Sequence, residues 1–125
     1  MGWAARAPLA LALAWAAAWP LTQWGLLLRP ELAHYGGLSG VLHGGAASAA
    51  LWLVVARRGR ERAVGAAVLL GITLKLLHEA PWGAVLRTGG GWDIAVAPLA
   101  HATGAIAGLL CAGVALALSR RSARA

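Results

Sequence analysis

Residues 39–77 read SGVLHGGAASAALWLVVARRGRERAVGAAVLLGITLKLL, and this stretch decides the fold class. Its first part, residues 39–56, carries no Asp, Glu, Lys or Arg, and neither does the apolar run that follows the basic block, until Lys75. Between the two runs the charges are concentrated in Arg57-Arg58-Gly59-Arg60-Glu61-Arg62. A helix needs about 20 apolar residues at about 1.5 Å each to cross the hydrocarbon of a bilayer. Inside lipid every backbone N–H and C=O must find its partner within the segment, so runs this long and this uniformly apolar are helices and not strands. The stretch therefore predicts two membrane-crossing helices joined by a short basic turn.

The rest of the chain repeats the pattern. Apolar segments at about 7–28, 39–56, 63–79 and 94–118 predict an all-α membrane protein, a single four-transmembrane-helix bundle over residues 1–125. Composition agrees: 60% of the 125 residues are apolar and only 12% are charged, more apolar surface than a water-soluble domain of this size can bury. The formal charge of +7 would suggest nucleic acid in a soluble protein, but these arginines flank apolar segments and are not interleaved with polar or aromatic readers. No nucleic-acid partner is expected. The basic residues gather at 57–62 and at Arg120-Arg121 with Arg124, which by the positive-inside rule puts both places, and with four crossings both termini, on the cytoplasmic side; the Arg, Ala and Gly richness suggests a GC-rich bacterial genome, and hence a bacterial inner membrane. Trp3, Trp24, Trp82 and Trp92 fall near segment ends, where an amphipathic ring prefers the headgroup region, while Trp15, Trp19 and Trp52 lie deeper. Alanine and glycine dominate the segments and allow close helix packing. Cys111 is the single cysteine and reads as a small packing residue. The first segment has a second reading as a signal peptide, with Ala16-Ala17-Ala18 as the cleavage region; its length, reaching Leu28, favours a retained helix.

Polar residues at membrane depth are the candidates for chemistry. Ser39 opens the second segment, and His101 lies about two turns into the fourth, a segment that starts on the same side of the membrane. At 100° per residue, Ser39, His43, Ala46 and Ala50 share one face, and His101, Gly104 and Gly108 share another. Both faces are small below the polar residue, so the imidazole of His101 is expected to reach the Ser39 hydroxyl, the arrangement that activates a serine as nucleophile. Glycines at 36, 37 and 40 fit a tight turn into a helix start, where free N–H groups of Leu38, Ser39 or Gly40 point at a developing oxyanion. The bland alternative is that Ser, Gly and His merely pack helices together.

Gly37-Leu38-Ser39-Gly40, followed two segments later by His101-Ala102-Thr103-Gly104-Ala105-Ile106-Ala107-Gly108, resembles the GxSG and HxxGxxxG motifs of rhomboid intramembrane serine proteases, in the same order. Residues 35–44, with Lys75-Leu76-Leu77-His78-Glu79, are more narrowly similar to the rhombosortase subgroup. The resemblance implies a Ser39–His101 dyad without an acidic third member. It further implies cleavage of membrane-anchored exported proteins near a carboxy-terminal GlyGly anchor, with the transmembrane segment of a protein substrate and the lipid bilayer as partners. It covers the last four of the six helices of a usual rhomboid core. The second of those six normally carries an HxxxN element that assists the oxyanion hole; nothing here supplies it, and His43, one turn after Ser39, is the candidate substitute. A truncated gene product, incomplete as an enzyme alone, is the corresponding expectation.

Lys75 and Glu79 are spaced i,i+4 and read as a structural ion pair anchoring the third helix, with a proton relay as the sharper alternative. His34, His78 and His101 have no metal-ligand spacing, and Gly89-Gly90-Gly91 lacks the Lys and Ser/Thr of a phosphate loop, so no metal and no cofactor are expected. The triglycine reads as a hinge or outer loop. Two rivals to the protease remain: an inactive rhomboid-like chain that binds membrane partners, and a small four-helix transporter, which lacks the usual acid in its first helix.

Overall fold

The computed structural model describes residues 9–32, 38–89 and 92–122. Gly37, and with it Trp3, Arg6, His34, Gly36 and Arg124, lies outside the described residues. Four α-helices dominate: α1 (Leu9–Gly25), α2 (Ser39–Ala56), α3 (Gly59–Glu79) and α4 (Pro98–Ser122). Two 3-10 turns, Leu26–Leu28 and Pro30–Leu32, follow α1, and a small antiparallel pair, β1 (Arg87–Gly89) with β2 (Trp92–Val96), precedes α4. Three segments, Leu9–Leu28, Ser39–Ala56 and Pro98–Ser122, are long and apolar enough to cross a membrane. The expected fourth crossing, α3, is about 31 Å long at 21 residues, but Arg60, Glu61, Arg62, Lys75 and Glu79 leave it less apolar than those three.

Several boundaries differ from the sequence reading, each for a local reason. The fourth helix starts at Pro98, not at 94, because residues 92–96 pair with Arg87–Gly89 and proline, without an N–H, is suited to the first helical position. It also continues to Ser122, so its basic residues lie in its last turn, where positive charge meets the exposed carbonyls. Gly89 thus ends β1, while Gly90 and Gly91 lie outside the described residues. The third helix starts at Gly59 rather than 63, taking in most of the basic block. Arg58 is extended and Gly59 sits at φ +58°, a left-handed conformation that closes the turn from α2 into α3 within a few residues. The first helix gives way to 3-10 geometry at Leu26.

Glycine and carbonyl contacts set the packing. A Cβ on Gly40 would lie 2.5 Å from the Ala100 carbonyl oxygen, and one on Gly44 would lie 2.9 Å from that of Gly104. In return, a Cβ on Gly104 would overlap the Gly40 carbonyl and one on Gly108 the Gly44 carbonyl. These residues ascend together along both helices, so α2 and α4 are parallel and their backbones touch. Where lipid removes the hydrophobic drive between helices, such close approach supplies the association. Lower on the same seam, the buried Ser48 hydroxyl donates to the Gly108 carbonyl at 3.0 Å, a bond that in a membrane contributes about 0.6 kcal/mol.

The first helix runs antiparallel to this pair. Thr22 lies by Gly40, and Trp15, one face of which packs on Gly45, donates its indole N–H to the Val41 carbonyl at 2.9 Å. The third helix is peripheral: Gly65 is its one buried residue among the described ones, tight against Ala50 and Leu53 of α2. Leu70 and Leu74 of α3, Ile106, Leu110 and Val114 of α4, and Leu9 and Leu13 of α1 are exposed, an apolar exterior suited to lipid. Trp15, Trp19, Trp24 and Trp82 are exposed, whereas Trp52 is buried and carries the Arg57 guanidinium 4.7 Å above its ring.

Candidate functional site

The first turns of α2 and α4 and the last turn of α3 meet at one end of the bundle, and Arg57 to Arg62 with Arg120 and Arg121 occupy the other. Ser39 is the first residue of α2 and is half-buried. His101 is the fourth residue of α4, in its first turn and not two turns deep, because the helix begins at Pro98. It is 5% exposed. Gly40 and Gly104, both buried, seat the two helix starts against each other. Leu38 caps α2 without any side-chain hydrogen bond, so the N–H groups of its first turn have no side-chain acceptor from the cap.

Around His101 the geometry is dense. Glu79, the last residue of α3, places Oε2 2.7 Å from His101 Nδ1, and its other oxygen pairs with Lys75 one turn back. The Lys75 ammonium lies 3.3 Å from the same Nδ1. A carboxylate can only accept, so a neutral imidazole at this distance carries its proton on Nδ1 and donates it to Glu79. That leaves Nε2 with a free lone pair, the state a general base requires. On the other side, the His43 ring stacks on His101 with centroids 4.2 Å apart and planes 16° from parallel. His43 in turn donates from Nδ1 to the Ser39 carbonyl at 2.7 Å, the only role open to that nitrogen against a carbonyl oxygen. One continuous chain of contacts therefore links Lys75, Glu79, His101, His43 and the Ser39 backbone.

Two features fix Glu79 in place. Ala80 ends α3 in a left-handed conformation at φ 47°, and its N–H returns to the Leu76 and Leu77 carbonyls, so the helix stops directly after the acid. Beyond it, Arg29 donates to the Trp82 and Gly83 carbonyls at 3.2 and 3.4 Å, tying the loop after α3 to the loop after α1. A carboxylate on a neighbouring helix that orients the histidine was not expected from sequence. The i,i+4 spacing with Lys75 accounted for the acid locally, and the dyad reading had no third member. The available signal was positional: the end of the third segment and the start of the fourth fall on the same side of the bundle.

No protein family, curated protein or solved structure matches the chain. The likeness to rhomboid proteases therefore rests on its two motifs. Their residues fall as follows: Leu38, Ser39 and Gly40 at the start of α2, His43 one turn on, and His101, Gly104 and Gly108 down the inner face of α4. The face expected for α2 is shifted, since Ala46 is exposed and the buried set toward α4 is Gly40, Gly44 and Ser48. Among the described residues no group of three His, Cys, Asp or Glu side chains is arranged to hold a metal ion.

Proposed function

We propose that the chain is an intramembrane serine endopeptidase of rhombosortase type, with Ser39 as nucleophile, His101 as general base and Glu79 as the acid that orients the base. The observation that carries this reading is the Glu79–His101 hydrogen bond at the helix end where α2 begins with Ser39. A carboxylate on Nδ1 selects the tautomer whose Nε2 accepts a proton, and it stabilises the imidazolium formed when that proton arrives. Ser39 Oγ attacks the substrate carbonyl as Nε2 takes the hydroxyl proton. The oxyanion is met by N–H groups of the first turn of α2, at Leu38, Ser39 or Gly40. His101 then returns the proton to the leaving amine, the C–N bond breaks, and water releases the acyl group from Ser39 by the same steps in reverse order.

The placement of the site at one end of the bundle, with the basic residues at the other, supports four crossings with the termini in the cytoplasm and the site near the outer surface of a bacterial inner membrane. The substrate is then an exported protein held by a carboxy-terminal transmembrane segment preceded by GlyGly. The test is reconstitution of the purified chain in liposomes with a single-span reporter carrying such an anchor. Cleavage by the wild type, absent with Ser39→Ala, is the expected result; an intact reporter with folded wild-type protein would reject the reading.

A further inference from the structure

We propose that the groove between α1 and α4 at the basic end of the bundle binds one anionic phospholipid, with an acyl chain in the groove and the phosphate at Arg121; the proposal is independent of the hydrolase reading. The two helices touch at the opposite end, where Gly25 packs on Thr103 and the Thr103 hydroxyl donates to the Thr22 carbonyl at 3.3 Å. Toward the basic end they part and leave an open groove of about 500 Å³. Its floor is small, at Ala14, Cys111 and Ala115. Its walls are Leu13 on one side and Val114 and Leu118 on the other, all three exposed. From Cys111 to Ser122 the groove runs about 16 Å along α4. That matches the hydrocarbon depth of one leaflet, about 15 Å.

These dimensions suit a chain of methylenes and not a helix. A crossing helix with its side chains is about 10 Å wide and about 30 Å long, whereas this groove ends at Ala17 and Cys111. The chemistry at the mouth calls for an anion. Arg121 follows Val114 and Leu118 by seven and three residues, so it stands on their face of α4, just beyond the groove. Among the described residues no carboxylate pairs with Arg120 or Arg121: Glu61 is the one acid at this end, and it lies 3.5 Å from Arg57. Arg57 is the second cation of the mouth, because its guanidinium lies over Trp52, which lines an adjoining cavity with Ala10, Ala115 and Ser119. The hydroxyls of Ser119 and Ser122 donate to their own helix carbonyls and give the mouth a polar rim. The carbonyl end of α4 carries roughly half a negative charge, which the two arginines of its last turn outweigh. Guanidinium groups bind phosphate oxygens through paired N–H bonds, and basic pockets between membrane helices hold anionic headgroups in this way.

The test is native mass spectrometry of the full chain, released from detergent containing phosphatidylglycerol or phosphatidylcholine with the same acyl chains. The wild type should retain one phosphatidylglycerol and hold it more tightly than phosphatidylcholine. Arg121→Gln should bind phosphatidylglycerol roughly fivefold more weakly, as the loss of one cation beside an anionic headgroup implies, and phosphatidylcholine as before. Ala17→Leu, at the inner end of the groove, should weaken both lipids alike. Ala17 and Arg121 are exposed, so both variants are expected to fold. Arg62→Gln removes the same charge from the same end of the bundle, on the peripheral α3, and should change neither affinity. Equal binding of the two lipids by the wild type overturns the proposal. So does a loss in Arg62→Gln as large as in Arg121→Gln, since the attraction is then spread over the whole basic end. A dimer that carries no lipid and dissociates in Ala17→Leu would also overturn it and give the groove to a second copy of the chain.

Discussion

Gly40→Ala tests the seam that brings the two halves of the site together. The added methyl would lie 2.5 Å from the Ala100 carbonyl oxygen and 3.0 Å from the Thr22 methyl carbon. Reaching an ordinary 3.4 Å contact requires α2 and α4 to separate by about 0.9 Å at this level. The Ala100 carbonyl is backbone and not the end of a flexible side chain, so the backbone must move. Overpacking of this kind costs about 1–3 kcal/mol. The same displacement stretches the 3.0 Å bond from Ser48 to Gly108 beyond hydrogen-bond range, adding about 0.6 kcal/mol. A loss of about 1.6–3.6 kcal/mol is therefore expected, measured by SDS titration of the detergent-folded protein with tryptophan fluorescence as the signal. Gly71→Ala is the control: a Cβ there meets nothing within 4 Å, and alanine is the better helix former by about 1 kcal/mol. Should Gly40→Ala unfold at the same midpoint as Gly71→Ala, the backbone contact between α2 and α4 does not hold the bundle together.

Glu79→Gln is expected to slow modification of Ser39 by a serine-directed probe roughly 10²-fold, since the base loses its fixed tautomer; a rate within about twofold of wild type would remove Glu79 from the site's chemistry. Ala80→Gly relieves a left-handed residue at φ 47° and, after the entropy cost of glycine, should raise stability by about 0.5 kcal/mol, while Ala80→Val lowers it by more than about 1 kcal/mol; SDS titration reads both, and a destabilised glycine variant contradicts this view of the cap. In a Cys111→Ala background, Trp82→Cys should react with a membrane-impermeant maleimide on intact cells, and Arg58→Cys only after the cytoplasmic face is opened. Reaction of both from one side would mean that α3 does not cross.

Much of the bundle was legible because its cause is local. Runs such as 39–56 can be satisfied in lipid only as helices, and the basic block marks the turn between two of them. The start of α4 was less legible. Ile94, Ala95 and Val96 extend the apolar run, so hydropathy does not separate them from the helix, and only Pro98 marks its beginning. The seam was off by a fraction of a turn, because Ala46 and Ala47 are interchangeable by composition and only the approach of a second backbone selects Gly40, Gly44 and Ser48. Ser39 and His101 stood out as polar residues in apolar runs. The contact of Glu79 with His101 spans 22 positions and depends on where α3 stops, which is set by the conformation of a single alanine. Pairwise spacing along one helix carries no trace of that contact.

The most direct measurement of the central claim is labelling of the purified, detergent-folded chain by a fluorophosphonate, comparing wild type with Ser39→Ala and His101→Ala. Labelling of the wild type that is lost in both variants is the expected result and marks Ser39 as a serine activated by His101. No labelling of a folded wild-type sample, or equal labelling of Ser39→Ala, would contradict it.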